Sequence, residues 1–196
     1  MTILHDKVAI VTGSTSGIGE AIARLLSANG TRIVINSTKS KEQGENIAAA
    51  LPGSIYCQAN IAVEEECKNL IDCTIKKYGR LDFLINNAGA VGRLPNNDIC
   101  TISNELFLET LNVNVVGTWC LTRYAIPYLK NSGDGVIVNI TSCAGTDPAA
   151  VSSAMPYAIA KASINYLTKL LAKELGPYIR VNAVAPGLIM TPWQSH

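Results

Sequence analysis

The stretch Lys7-Val-Ala-Ile-Val-Thr-Gly-Ser-Thr-Ser-Gly-Ile-Gly-Glu-Ala-Ile-Ala-Arg-Leu-Leu26 decides the fold. Lys7–Thr12 is a short apolar run that stops at Gly13, which suits a strand buried on both faces. From Gly17 to Asn29, Ile18, Ile22, Leu25 and Leu26 recur at helical spacing, and Gly30 supplies the stop. Between strand and helix lies Thr12-Gly-Ser-Thr-Ser-Gly-Ile-Gly19. Gly13 permits a tight turn, Gly17 lets backbone approach a pyrophosphate, and Gly19 allows helix and strand to pack closely. The helix N-terminus then offers free N–H groups and positive potential to the phosphates. A glycine cluster alone is often a plain turn; its place between strand and helix is what points to dinucleotide binding.

Outward from that turn the same alternation continues. Arg32–Asn36 reads as a second strand, and Ser40-Lys-Glu-Gln43 has capping-box spacing before a helix ending near Leu51. Ser54–Gln58 is a third strand, Glu64–Tyr78 a helix closed by Gly79, and Asp82–Asn86 a fourth strand. Helical pattern runs from about Ser103 to Lys130, Val136–Thr141 is a fifth strand, and a long helix spans about Pro156 to Leu175. Gly176-Pro177 ends it, and Arg180–Val184 is a sixth strand. Strands alternating with helices predict a doubly wound α/β fold, one Rossmann-type parallel sheet of six strands in the order 3-2-1-4-5-6. Its ligands sit beyond the carboxyl ends of the strands, where Gly13–Gly19, Asn86–Gly89, Ser142 and Pro186-Gly187 all fall.

Composition sets limits. With 196 residues, 48% of them apolar and 16% charged, the chain is expected to form one buried-core domain over residues 1–196 rather than a disordered segment. A net charge of +1 without a basic run gives nucleic acid no electrostatic hold. His5, Asp6 and Lys7 stand where a signal peptide needs apolar residues, and no window approaches the ~20 apolar residues of a membrane span. These features predict a cytoplasmic protein without membrane contact. Six cysteines with no C-x-x-C pair, and histidines only at the chain ends, argue against a metal site or a disulfide framework. Cys143, beside Ser142, reads as a small apolar filler rather than a nucleophile.

Tyr157 and Lys161 lie four apart within the long helix, so their side chains share a face. An ammonium beside a phenol favours the phenolate and lowers a pKa that starts near ~10, making a tyrosine usable as a general acid or base. Alone, such a pair is ordinarily a surface pair. The glycine turn and the upstream serine give it weight.

With G-x-x-x-G-x-G spacing at Gly13–Gly19, Asn86-Asn-Ala-Gly89 and Tyr157-x-x-x-Lys161, the chain resembles the short-chain dehydrogenase/reductase family in its compact single-domain branch, from Lys7 to about Thr191. Its general look is that of the 3-oxoacyl-carrier-protein reductases. The resemblance implies Asn114, Ser142, Tyr157 and Lys161 as catalytic groups. Ser142 would hydrogen-bond the substrate carbonyl oxygen and Tyr157 would donate the proton. Lys161 would tune Tyr157 and hold the nicotinamide ribose, and Asn114 would position a water linking Lys161 to solvent. Asn112 competes with Asn114, and Thr141 with Ser142. The family generally places the serine about thirteen positions before the tyrosine; here the separation is fifteen, which lengthens the loop over Thr146–Ala154.

The resemblance also assigns the cofactor contacts: Gly13, Ser16, Gly17, Ile18 and Gly19 to the phosphate turn, and Asn87, Ala88 and Gly89 to the strand-four end. Pro186, Gly187, Ile189 and Thr191 would lie near the carboxamide. NAD-using members hold the adenosine ribose with an Asp at the end of strand two, where this chain has Ser37, followed by Thr38 and Lys39. Without that carboxylate nothing repels a 2′-phosphate, and Lys39 could pair with it, so NADP(H) is expected over NAD(H). Ser16, where many NADP-using members are basic, argues the other way. Asn60 replaces the Asp that contacts adenine, next to Ile61.

The implied activity is hydride transfer between NADP(H), or NAD(H), and a small-molecule ketone or secondary alcohol. A nucleotide-binding protein or truncated family member without turnover is the rival. Epimerase-like relatives usually carry different glycine spacing and a larger C-terminal domain. The family's C-terminal substrate loop and last strand have no counterpart before His196, which leaves strand six as an expected open edge. A homodimer or homotetramer is expected, paired through about Asn112–Lys130 and Pro156–Leu175, where Val115, Val116, Trp119 and Leu167 could equally be core.

Overall fold

The computed structural model describes residues 4–91, 99–150 and 155–191; the second half of the lengthened loop, residues 151–154, lies outside them. Six strands form one parallel sheet: β1 (Val8–Val11), β2 (Arg32–Ser37), β3 (Ile55–Gln58), β4 (Phe83–Asn86), β5 (Gly135–Ile140) and β6 (Ile179–Val184). Their order is β3-β2-β1-β4-β5-β6, as the alternation of elements implied. The crossovers carry α1 (Gly17–Ala28), α2 (Lys41–Ala50), α3 (Glu64–Tyr78), α4 (Asn104–Leu111), α5 (Gly117–Asn131) and α6 (Met155–Leu175). A π-helical stretch, Asn112–Val116, joins α4 to α5 without a break.

Side chains alternate across the sheet. Ile10, Val34, Leu84 and Ile137 join one apolar cluster with α3, α5 and α6, including Leu70, Leu121, Leu129 and Leu171. Ala9, Val11, Ile33, Ile35 and Ile85 join the other, with Ala23 of α1 and Ile47 of α2. Residues of β1 are fully buried on both faces, which is why the run Val8–Val11 is apolar throughout. Among the described residues the outer strand β6 pairs with β5 alone, and it exposes Asn182, Ala183 and Val184.

Three local expectations are corrected. Leu25 does not face the core: it is 67% exposed, and the buried seam of α1 is Gly19, Ala23 and Ser27. Small residues at four-residue spacing let α1 lie close to the sheet, and Ile18, Ile22 and Leu26 pack against the same cluster beside them. Ser40 does not form the capping box; its side chain makes no cap bond, and its N–H donates instead to Ser37 Oγ at 3.2 Å. The helical run after Ser103 is not uniform, because the π stretch interrupts it at Asn112.

One carboxylate anchors the far end of the sheet. Asp82, fully buried, accepts from Val8 N–H at 3.0 Å, Lys7 Nζ at 3.2 Å, and Arg80 Nε and Nη2 at 2.8 and 2.6 Å. Burial pushes its carboxyl up, but the Arg80 guanidinium, the Val8 N–H and the Lys7 ammonium outweigh that and hold it below the usual carboxylate range.

Candidate active site

The chain order reverses at β1, which pairs with β2 on one side and β4 on the other, and a crevice opens there beyond the strand ends. The two ends are tied across it. Thr12 Oγ1 accepts from the N–H groups of Asn87 and Ala88, both at 2.9 Å, and Asn87 Nδ2 donates to the carbonyls of Thr12 and Gly13 at 2.8 and 3.1 Å. Asn36, almost fully buried, accepts from Gly13 N–H and donates to the Cys57 and Ala59 carbonyls. Deeper, Asn86 Nδ2 donates to Asn139 Oδ1 at 2.8 Å, and Asn139 Nδ2 to Thr168 Oγ1 at 2.9 Å, so strands β4 and β5 are joined to α6 by satisfied buried amides.

This frame holds the glycine turn in a shape only glycine tolerates. Gly13 and Gly17 have φ of +59° and +54°. At Gly19 a Cβ would lie 2.4 Å from the Gly13 carbonyl oxygen and 2.5 Å from Asn87 Nδ2, so helix and turn are in direct backbone contact. Ser16 makes no capping bond, leaving the first N–H groups of α1 open to the cleft.

The cleft encloses about 520 Å³. The turn residues Gly13, Ser16, Gly17, Ile18 and Gly19 line one end, with Ser37, Thr38 and Ile61 beside them. Asn87, Ala88 and Gly89 line it too, as do Pro186, Gly187, Ile189 and Thr191; Thr191 packs against the turn, its Cβ 3.2 Å from where a Gly17 Cβ would stand. Ser142, Tyr157 and Lys161 enter from the β5 and α6 side. Cys143, expected as filler, also lines it.

Two expected cofactor contacts stand apart. Lys39 is exposed and does not line the cleft. Asn60 does not line it either, because its Oδ1 accepts from Ala62 N–H at 3.0 Å in a local turn. That bond uses one of the two lone pairs of the amide oxygen.

The candidate catalytic groups converge. Ser142 Oγ accepts from Ala144 N–H at 3.2 Å and its hydroxyl bonds to the Tyr157 phenol, so the longer loop between them does not keep them apart. Thr141 instead donates to the Val184 carbonyl at 3.2 Å. Lys161, 4% exposed, donates from Nζ to the Ile140 carbonyl at 2.9 Å and sits 5.4 Å from the centre of the Tyr157 ring. Asn114 is buried in the π stretch and donates to the Ala90 and Thr110 carbonyls, both at 2.8 Å. Its Oδ1 has no partner and lies 2.7 Å from where a Gly89 Cβ would stand; Lys161 Nζ lies 3.4 Å from the same point. Asn112, its sequence competitor, is exposed and bonds to the Ala62 carbonyl.

The electrostatics differ from the simple expectation of a lowered tyrosine. Burial pushes the Tyr157 phenol above its ordinary value, the Ser142 hydroxyl opposes that shift, and Cys143 adds to it. Burial lowers the Lys161 ammonium to about 8. The ammonium lies against the ring rather than acting as the dominant influence on the hydroxyl.

The residues present fit a dinucleotide. A helix N-terminus with open donors, a positive-φ glycine cradle, an unpartnered buried amide oxygen and a buried lysine with donors to spare meet in one crevice. Among the described residues no cluster of His, Cys, Asp or Glu could hold a metal ion. No described helix is long and apolar enough to cross a membrane.

Fold and site together define a nicotinamide-dinucleotide oxidoreductase. The short chain dehydrogenase family model matches residues 7–196, and the chain belongs to that family. A Streptomyces violaceoruber protein named as ketoacyl reductase 2 of the granaticin polyketide synthase is 48% identical over 186 residues, 95% of this chain and 74% of the relative. The 3-oxoacyl-acyl-carrier-protein reductase of Thermotoga maritima is 35% identical, across 96% of this chain and 76% of its own. A crystal structure described as a short-chain dehydrogenase/reductase from Burkholderia xenovorans superposes with a TM-score of 0.89 at 31% identity, covering 94% of this chain and 78% of that one.

Proposed function

We propose that residues 1–196 form one dinucleotide-binding and catalytic domain that interconverts a ketone and a secondary alcohol, with NADP(H) preferred over NAD(H). The meeting of Ser142, Tyr157 and Lys161 above the glycine turn carries this reading. When bound, the nicotinamide supplies the hydride to the carbonyl carbon, or accepts it in the reverse direction. Ser142 donates a hydrogen bond to the carbonyl oxygen as charge grows there. Tyr157 delivers its phenolic proton to that oxygen, completing the alcohol. Lys161, titrating at about 8, can return a proton toward the phenolate near neutral pH. Asn114 Oδ1, buried and unpartnered, is placed to hold a water between Lys161 and solvent.

Support for NADP(H) lies at the end of β2, where Ser37 and Thr38 line the cleft without a carboxylate. The substrate class follows from the names of relatives, ketoacyl and oxoacyl reductases. A dimer through the π stretch, α5 and α6 would cover Val116, Trp119, Tyr166 and Leu170, which are 50%, 44%, 64% and 48% exposed. Light scattering that found monomer alone would remove the dimer.

Tyr157→Phe tests the mechanism. It should bind NADPH with unchanged affinity in a fluorescence titration while NADPH consumption on simple ketones falls at least about a hundredfold. Wild-type turnover in that variant would refute the assignment. Cofactor binding by the native chain without turnover on any carbonyl would favour a nucleotide-binding protein instead.

A further inference from the structure

Where the end of β2 meets the cleft, two hydroxyls come together. Ser37, 7% exposed, ends β2 and lines the cleft. Tyr56 stands on the neighbouring strand, with its phenolic oxygen 3.0 Å from Ser37 Oγ and 3.4 Å from the Ser37 carbonyl oxygen. Its ring passes over Gly44 of α2, where a Cβ would lie 2.2 Å from two ring carbons. That glycine seats the ring, and the seat fixes the hydroxyl. From the other side the Ser40 N–H donates to Ser37 Oγ at 3.2 Å.

A serine hydroxyl has one hydrogen to give and two lone pairs to accept with. Ser40 occupies one lone pair. Either oxygen of the 3.0 Å contact can be the donor, and Tyr56 alone can donate at the 3.4 Å contact to the Ser37 carbonyl. A phenol is a better donor than an aliphatic alcohol, which favours Tyr56 donating to Ser37 Oγ. With Tyr56 donating, both lone pairs of Ser37 are filled, and only its hydrogen is left for the cleft.

We propose that Tyr56 is a positioning residue that makes Ser37 an obligate hydrogen-bond donor toward the adenosine ribose, and thereby selects a 2′-phosphate over a free 2′-hydroxyl. A phosphate oxygen only accepts, and its charge strengthens the bond it receives. A ribose hydroxyl seeking an acceptor, which a carboxylate would supply, finds none at Ser37. The inference rests on the NADP(H) reading above and gives that reading a mechanism at one named side chain.

Tyr56→Phe keeps the ring in its Gly44 seat and removes only the hydroxyl. Equilibrium fluorescence titrations of the free protein with NADPH and with NADH give the ratio of the two dissociation constants. In Tyr56→Phe that ratio should move about tenfold toward NADH, because Ser37 regains a lone pair. Melting temperature should change little, and kcat at saturating cofactor should hold. In a Ser37→Ala background the same substitution should shift the ratio no further. An unchanged ratio, equal weakening of both cofactors, or a further shift without Ser37 would each overturn the proposal. The native protein's own ratio tests the NADP(H) reading separately: no preference there removes that reading, whereas the role of Tyr56 stands or falls on the change.

Discussion

Replacing Lys161 by Met should make the protein more stable at neutral pH while removing its activity. Lys161 is 4% exposed, and none of the ion pairs among the described residues includes it. Its ammonium is held by the Ile140 carbonyl and the Tyr157 ring, both neutral partners. Burial lowers it from 10.5 to about 8, which corresponds to about 3 kcal/mol against the charged form inside the fold. Met has nearly the same length and no charge to desolvate. It leaves the Ile140 carbonyl unpaired, at a cost of about 1 kcal/mol. The net expectation at pH 7 is a gain of about 2 kcal/mol.

The pH dependence carries its own sign. A lysine depressed in the folded state binds fewer protons there than in the unfolded chain between about 8 and 10.5. Native stability from this group therefore rises with pH across that window, and its penalty is complete below about 8. Urea unfolding of both proteins, followed by circular dichroism from pH 7 to 10.5, should show the variant's advantage shrinking and then reversing. Changes elsewhere in the protein cancel in the difference. A variant less stable than the native protein at pH 7, with a difference flat up to pH 10.5, would refute the reasoning.

Asp82→Asn should cost about 2–3 kcal/mol, at the lower end for a buried pair because Lys7 and Arg80 can turn to solvent. The Asp82 carboxyl is held below its unfolded value, so its contribution is present above about pH 4 and fades as acid protonates the folded state; urea midpoints at pH 7 and in acid should converge, and parallel curves would exclude the linkage. Gly19→Ala should weaken NADPH binding at least about tenfold with a modest fall in melting temperature, since the Gly13 carbonyl and Asn87 must both retreat from the new methyl. Native affinity in a titration would show that the turn can absorb a side chain.

The sheet was legible because each buried strand is a short apolar run closed by glycine or a polar rim residue. Val8–Val11 before Gly13 and Phe83–Asn86 before Asn87 leave little choice of direction. Less visible were features settled by the neighbouring element. Ser40 and Gln43 have the spacing of a capping box, yet Ser37 takes the Ser40 N–H, and no local rule ranks the two bonds. Nothing in Asn112–Val116 announces a π turn, and spacing alone puts Asn112 and Asn114 on different sides of the helix without saying which side is buried. Asp82 looked like the first residue of a strand; Arg80 is a local partner two residues away, but Lys7 and the Val8 N–H reach it only once β1 and β4 are paired.

Tyr157 and Lys161 show the same boundary within the site. Four-residue spacing places both side chains on one helix face, and that much needs no coordinates. Spacing carries no information on solvent. Burial favours the neutral form of each group, raising the phenol and lowering the amine, so the two shifts oppose the charged pair that proximity suggests. The Ser142 hydroxyl favours the phenolate and opposes burial at Tyr157, and it comes from just beyond β5 rather than from the helix. The acid–base character of the tyrosine is therefore set where two elements meet: α6 supplies the amine, and the end of β5 supplies both the hydroxyl beside the phenol and the carbonyl that holds the lysine.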